Sequence, residues 1–165
     1  MLPQIKKILC ATDHSKNSAY AFYYAIEVAR KSDAKIVILH VVEFLPRAIH
    51  PVGGEHGHFE IEKIDTELTK TNLHKFCEKA ETKVGSPCVE LVSNTIIRIG
   101  YPVEEILEVA DEEGCDLIIL GTHGKGFLKR TFLGSVSDAV LQRTQKPVLL
   151  IPLPSEKSSI DWDEI

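Results

Sequence analysis

Short apolar runs alternate with amphipathic segments along most of the chain. Apolar residues spaced three and four apart are typical of helices, whereas continuous apolar runs of about four to eight residues indicate buried strands. The run KIVILHVV, residues 35–42, is nearly continuous and rich in β-branched residues, as in parallel strands that helices cover on both faces. The predicted strands are residues 5–12, 35–42, 88–98, 116–120 and 147–151, and the predicted helices are residues 15–34, 61–85, 100–114 and 135–144.

The alternation of strand and helix predicts an α/β fold. We expect a single Rossmann-like, doubly wound domain over residues 1–153, with a five-stranded parallel sheet of order 3-2-1-4-5 and about four helices, followed by an acidic C-terminal tail over 154–165. Ligands of such sheets bind beyond the carboxyl ends of the strands, where the strand order reverses. That position lies between Asp13, after the first strand, and Gly121, at the end of the fourth.

Composition and charge narrow the classes of function. A net charge of −5 over 165 residues argues against a protein that coats nucleic acid, since that role normally needs a basic face. No run approaches the ~18 apolar residues of a membrane span, and the N-terminus becomes polar too early for a signal peptide. We therefore expect a cytoplasmic protein without a membrane partner. The four cysteines lie far apart without a CxxC pair and are interpreted as reduced packing thiols.

The segment GTHGKGFLKRTFLGSVS, residues 121–137, follows the fourth strand and is suited to hold phosphate. Gly121, Gly124 and Gly126 let backbone N–H groups approach an anion without obstruction by a Cβ atom. Gly134 and Ser135 begin the fourth helix, whose positive N-terminal end favours phosphate. The side chains that add hydroxyl donors or positive charge are Ser135, Ser137, Lys125, Lys129 and Arg130.

Two common phosphate-binding patterns are missing from this sequence. A Walker loop requires G-x4-G-K-[ST], but Gly126 follows Lys125, and the distance to the helix is much longer. A dinucleotide fingerprint should follow the first strand, yet the residues there, ATDHS, contain no glycine. Another arrangement must hold the phosphate.

The spacing of this segment resembles that of the universal stress proteins, specifically their nucleotide-binding branch. The ATP signature of that family is G-x2-G-x9-G-[ST], and Gly121, Gly124, Gly134 and Ser135 stand at its four positions. The segments ILCATDHS, HVVE, GYP and PVLLIP also resemble the family, so that the resemblance extends over about residues 4–152.

The resemblance implies a set of ligand contacts. Ala11, Thr12 and Asp13 would flank the adenine and ribose, and Val41 would offer backbone hydrogen bonds to the base. One departure is His14, where many relatives carry glycine, and it places a bulkier group beside the base pocket. The residues expected near the ribose and phosphates are Leu120, Gly121, His123, Gly124, Lys125, Gly134, Ser135, Val136 and Ser137.

Three classes of function remain open. The first is a sensor or regulator of the stress response that holds ATP, ADP or AMP, with Mg²⁺ or Mn²⁺ travelling on the phosphates. The second is a slow ATP hydrolase or phosphoryl-transfer enzyme, and the third is a scaffold that binds no nucleotide. The apolar edge strand 147–151 needs cover, and the resemblance implies that it pairs with its copy in a homodimer that acts on an unknown protein partner.

Some residues have simpler alternative roles. Asp13, between a strand and a helix, is also suited to cap the helix, as are Ser15 and Asn17. His50, His56 and His58 are of the type that binds zinc or nickel. They lie in a glycine-rich loop without the compact paired spacing of structural metal sites, so a loop that partly covers the nucleotide is favoured.

Overall fold

A computed structural model describes residues 1–43, 66–85, 87–123 and 133–152 of the chain. Strands and helices alternate, as the hydrophobic pattern predicts, with one short 3-10 helix at Val89–Leu91 before the third strand. The elements are β1 (Lys7–Thr12), α1 (Lys16–Ser32), β2 (Lys35–Glu43), α2 (Thr66–Val84), β3 (Val92–Gly100), α3 (Pro102–Glu112), β4 (Leu117–Gly121), α4 (Ser135–Arg143) and β5 (Val148–Ile151).

The five strands form one parallel sheet of order β3-β2-β1-β4-β5, which confirms the predicted topology. In the centre of the sheet, Cys10 of β1 pairs with Ile38 of β2 and with Ile119 of β4. The strand order reverses beside β1, whose neighbours are the second and fourth strands of the chain. The crevice expected for a ligand therefore lies at the carboxyl ends of β1 and β4.

Two apolar clusters cover the two faces of the sheet. Alternate residues of β1 belong to different clusters, because side chains alternate across a strand: Ile8 and Cys10 face one side and Leu9 faces the other. Helices α1 and α2 bury their apolar residues against the first face, and α3 and α4 cover the second. Strands β1 and β4, whose carboxyl ends flank the expected ligand crevice, therefore have an apolar cluster on each of their two faces.

The third strand begins later than the sequence pattern indicates. The prediction placed its start at Cys88, whereas a 3-10 turn occupies Val89–Leu91 and β3 begins at Val92. The Glu81 carboxylate of α2 accepts the N–H groups of Cys88 and Val89 at 2.7 and 2.6 Å, which withdraws them from strand pairing. An apolar run alone does not distinguish this turn from a strand, so the predicted start was wrong by four residues.

The cysteines are packing residues in this fold. All four are free and buried, and burial raises the pKa of Cys10 and of Cys77 to about 12. Their thiols are therefore protonated near neutral pH and have little nucleophilic character.

Among the described residues, no helix combines the length and the hydrophobicity that crossing a membrane requires.

The hydrogen bonds that Glu81 accepts predict a pH-dependent contribution to stability. The N–H groups of Val89 and Cys88 hold the pKa of Glu81 below its usual value of 4.5. A carboxylate with a lowered folded-state pKa stabilises the fold above about pH 4.5, and the contribution is lost as the pH falls through the folded-state pKa. We expect Glu81→Gln to lower the free energy of unfolding at pH 7 and to have less effect at pH 3, as measured by urea denaturation.

The matched control is Glu78→Gln on the same helix. Oε1 of Glu78 lies 3.4 Å from Nε2 of the exposed His74. An exposed pair of this kind contributes little to stability. Equal losses of stability for the two variants at pH 7 would show that the carboxylate of Glu81 has no special role at the start of β3.

Candidate nucleotide-binding site

The ends of β1 and β4 lie at one level of the sheet, next to the second half of β2. Thr12, the last residue of β1, pairs with His40 of β2, so that Val41 lies one residue beyond this level. Cys10 pairs with Ile119, and Thr12 and Gly121 each follow these partners by two residues. Thr12 lies on the side of the site that the resemblance assigns to the base and ribose. It is therefore on the strand next to the one that ends at Gly121.

A closed set of hydrogen bonds forms the turn between β1 and α1. The Thr12 hydroxyl lies 2.9 Å from the Ser18 hydroxyl, which in turn donates to the Ser15 carbonyl at 2.9 Å. Because the proton of Ser18 is used in that bond, Thr12 donates to Ser18. Asp13 Oδ1 accepts the Ser15 N–H at 3.0 Å, and the Ser15 hydroxyl caps α1 by accepting the Ser18 N–H. Ser15 is thus the helix cap, and Asp13 is held in a fixed position at the crevice.

His14 has a backbone conformation that residues other than glycine rarely adopt. Its φ is 62°, in the left-handed region that favours glycine. Its ring packs edge-on against His40, with ring centroids 4.1 Å apart. The Nδ1 atom of His40 lies 2.8 Å from the Thr12 carbonyl; because a carbonyl only accepts, that nitrogen bears a proton. A histidine at this position thus places an imidazole ring beside that of His40, at the carboxyl end of β1.

One backbone hydrogen bond and one side-chain hydrogen bond join the end of β4 to the start of α4. The Gly134 N–H donates to the Thr122 carbonyl at 2.7 Å, and the buried Ser137 hydroxyl donates to the Gly121 carbonyl at 2.7 Å. Although these residues are more than ten positions apart in sequence, they form one local unit. We call Gly121–His123 together with Gly134–Ser137 the backbone clamp.

The clamp requires glycine at position 134 because of close approach rather than backbone conformation. The φ of Gly134 is −63°, which any residue can adopt. A Cβ atom there would lie only 2.9 Å from the Thr122 carbonyl oxygen, a contact with backbone that cannot relax as a flexible side chain would. Gly134 therefore lets helix α4 begin directly beside the end of β4.

The start of α4 provides a positive end without a side-chain cap. Gly134 is the N-cap residue of the helix and has no side chain with which to accept the first N–H groups. Helix α1 differs, since its first turn is capped by Ser15. The first N–H groups of any helix lack partners within the helix and favour an anion. The clamp thus presents donors of the kind that bind phosphate, close to the carboxyl end of β4.

Asn17, in the first turn of α1, forms hydrogen bonds both to the clamp and to the end of β5. Its side chain is buried, accepting the His123 N–H at 2.8 Å and donating to the Ile151 carbonyl at 3.0 Å. The His123 ring bonds to its neighbour, with Nδ1 2.7 Å from the Thr122 hydroxyl. Sequence reasoning considered Asn17 only as a helix cap, because a polar residue in a first helical turn gives no sign of whether it is buried.

Part of the predicted site lies outside the described residues: Gly124, Lys125, Gly126, Lys129 and Arg130, together with the tail 154–165 and the histidines 50, 56 and 58. Within the described ranges, no group of three or more His, Cys, Asp and Glu side chains is placed to hold a metal ion. The other predicted site residues lie in or directly after the carboxyl-terminal parts of β1, β2 and β4 or at the start of α4: Ala11, Thr12, Asp13, Val41, Leu120, Gly121, His123, Gly134, Ser135, Val136 and Ser137. Leu120 belongs to the apolar cluster on the second face and is buried.

Curated relatives resemble this chain over most of its length. The universal stress protein MJ0577 of Methanocaldococcus jannaschii is 33% identical over 156 residues, which cover 88% of this chain and 94% of that protein. The universal stress protein YxiE of Bacillus subtilis is 36% identical over 151 residues, covering 88% of this chain and 97% of that protein.

Solved structures share the fold. The structure of MJ0577 has a TM-score of 0.61 at 31% identity and covers 93% of this chain and 100% of its own. A universal stress protein in complex with cAMP has a TM-score of 0.59 at 21% identity, covering 91% of this chain and 98% of its own; at that identity the likeness shows the fold alone.

The family model agrees with these relatives. The model of the universal stress protein family matches residues 4–152, a range that includes the sheet, the turn after β1 and the backbone clamp. With a match over nearly the whole chain and relatives 33% and 36% identical, the protein belongs to the universal stress protein family.

Proposed function

We propose that this protein is a nucleotide-dependent regulator that holds ATP, or a related adenine nucleotide, at the junction of β1 and β4. The observation that supports the proposal best is the backbone clamp, in which the end of β4 and the uncapped start of α4 are joined by the 2.7 Å bond between Gly134 and Thr122. A helix start that lies beside a strand end is suited to bind phosphate from two sides.

The adenosine would lie toward the ends of β1 and β2. Ala11, Thr12 and Asp13 are at the correct end of β1, and Val41 is one residue beyond the level of Thr12. Membership of the universal stress protein family, whose signature positions are Gly121, Gly124, Gly134 and Ser135, supports an adenine nucleotide. A divalent cation, Mg²⁺ or Mn²⁺, would be bound mainly by the phosphates and water.

Holding the nucleotide is favoured over consuming it. Fast phosphoryl transfer needs a carboxylate that binds the metal and a residue that positions the attacking group. Strand β4 ends in Leu120 and Gly121 without a carboxylate, and Asp13 already accepts the Ser15 N–H at the turn before α1. The alternative, a slow ATP hydrolase, would depend on other side chains, such as those of His123 or Lys125, to fill these roles.

A homodimer through β5 is part of the proposal. The Ile118 N–H donates to the Pro147 carbonyl and the Thr122 N–H donates to the Ile151 carbonyl, so the backbone groups of residues 147, 149 and 151 face β4. By the alternation of a strand, those of Val148 and Leu150 face away. This outer edge is short and apolar, and pairing with a second copy would satisfy its N–H and C=O groups.

The first prediction concerns the clamp. Gly134→Ala places a Cβ atom against the Thr122 carbonyl and should separate the two sides of the clamp. We expect the affinity for Mg-ATP, measured by isothermal titration calorimetry, to fall about tenfold or more, the scale of one lost buried hydrogen bond. Circular dichroism should show that the sheet remains folded.

The matched control for this variant is Gly114→Ala. Gly114 has a φ of 62° and no atom within 4 Å of its Cβ position, so alanine there strains the backbone by about 1–2 kcal/mol without touching the clamp. It should lower stability and leave ATP affinity unchanged. Undiminished ATP affinity in a folded Gly134→Ala variant would place the phosphates elsewhere, and a wild-type protein that binds no adenine nucleotide would refute the proposed function.

The second prediction concerns turnover. In single-turnover assays with excess protein over ATP, we expect hydrolysis at about 10⁻² s⁻¹ or less, well below the ~1–100 s⁻¹ of kinases. Lys125→Ala should change the affinity more than the rate, because a lysine beside the phosphates acts chiefly as a charge. A rate near 1 s⁻¹ that collapses in Lys125→Ala would favour the enzymatic alternative.

The third prediction concerns the dimer. Leu150→Pro removes an N–H group that faces away from β4, a position where an edge strand tolerates proline. We expect light scattering after gel filtration to show a dimer for the wild type and a folded monomer for this variant. Leu150→Val keeps the N–H group and should remain dimeric. If the folded proline variant is still a dimer, the interface lies on another surface.

A further inference from the structure

We infer that Asn17 is a positioning residue for phosphate binding, which sets the place of the backbone clamp without touching the nucleotide. The inference rests on the proposed function and assigns a role to a side chain in the first turn of α1. Asn17 is 2% exposed, and a buried amide is costly unless its polar atoms are paired. Its pairing explains why an amide stands at this position.

The two ends of the Asn17 amide bond to different elements. Oδ1 accepts the N–H of His123, in the clamp, at 2.8 Å, and Nδ2 donates to the carbonyl of Ile151, at the end of β5, at 3.0 Å. The same Ile151 carbonyl accepts the Thr122 N–H at 2.9 Å. Two consecutive N–H groups of the clamp are thus fixed by bonded partners: that of Thr122 by the Ile151 carbonyl, and that of His123 by the Asn17 amide, which is itself bonded to Ile151.

The clamp is shaped to receive the amide. A Cβ atom at Gly121 would lie 2.8 Å from Cγ of Asn17 and 2.9 Å from its Oδ1. The amide therefore packs directly against the backbone of Gly121, which no residue other than glycine permits without displacement. The first glycine of the family signature has a role here in admitting Asn17 as well as in leaving space for a ligand.

Only a side chain with a donor and an acceptor on one carbon satisfies both bonds. Aspartate would direct a second oxygen at the Ile151 carbonyl, and serine is too short to reach both partners. Without these bonds, Gly121–His123 keeps its hydrogen bonds to Gly134 and Ser137 at the start of α4 but loses its hydrogen bond to the first turn of α1. The consequence should be specific to the phosphate side of the nucleotide, because the turn around Asp13 is held by Ser15 and Thr12 instead.

The test compares ATP with adenosine, which lacks phosphate. Titration calorimetry on the full chain should show that Asn17→Ala weakens Mg-ATP binding about tenfold, the scale of one lost buried hydrogen bond, and leaves adenosine binding within about twofold of the wild type. Asn17→Ser, which preserves a polar side chain at the helix start, should show the same pattern and serves if Asn17→Ala does not fold.

The matched control is Ser18→Ala. Ser18 is the next residue, is 5% exposed and bonds to Thr12 and Ser15 rather than to the clamp. It should leave the ratio of ATP to adenosine affinity at the wild-type value even if stability falls.

The outcomes separate the two claims. Equal weakening of ATP and adenosine binding by Asn17→Ala, or no weakening of either, would overturn the positioning role while leaving the proposed function in place. A wild-type protein that binds neither Mg-ATP nor adenosine would overturn the proposed function and this inference together.

Discussion

The backbone from Gly121 to His123 is the constraint on which the candidate site depends. Each of its three residues is held by a different element: the Gly121 carbonyl by Ser137 of α4, the Thr122 N–H by Ile151 of β5, and the His123 N–H by Asn17 of α1. These bonds connect residues that are far apart in sequence, so they form only when the whole sheet is assembled. The positions of these three residues therefore depend on the packing of α1, α4 and β5 around the end of β4.

This construction is suited to binding more than to chemistry. The first N–H groups of helix α4 supply fixed donors for anionic oxygen atoms, but they do not transfer protons or position an attacking water. The polar side chains nearby are largely engaged in structure, as with Asp13 at the Ser15 N–H and Ser137 at the Gly121 carbonyl. A protein that retains its nucleotide in this way would respond to which nucleotide is bound, consistent with a regulatory role.

The fold followed closely from the hydrophobic pattern, because continuous apolar runs specify buried parallel strands and amphipathic spacing specifies the helices between them. The glycine spacing also located the clamp, since Gly134 is needed for close approach to the Thr122 carbonyl and Gly121 for close packing of the Asn17 side chain. Three features could not be deduced in this way. The 3-10 turn before β3 depends on the reach of Glu81, the role of Asn17 depends on contacts with β5 and His123, and the left-handed backbone of His14 occurs in a residue that seldom adopts it. Each depends on long-range contacts or backbone geometry that residue type does not reveal.

The most direct measurement is hydrogen exchange at the start of α4, because the first N–H groups of this helix have no partner within the helix and no side-chain cap, so that a bound phosphate would protect them. With saturating Mg-ATP, deuterium uptake in a peptide covering residues 133–140 should slow markedly, while uptake in α2 stays constant. Unchanged uptake in that peptide while ATP is demonstrably bound would contradict the account and place the phosphates away from the clamp.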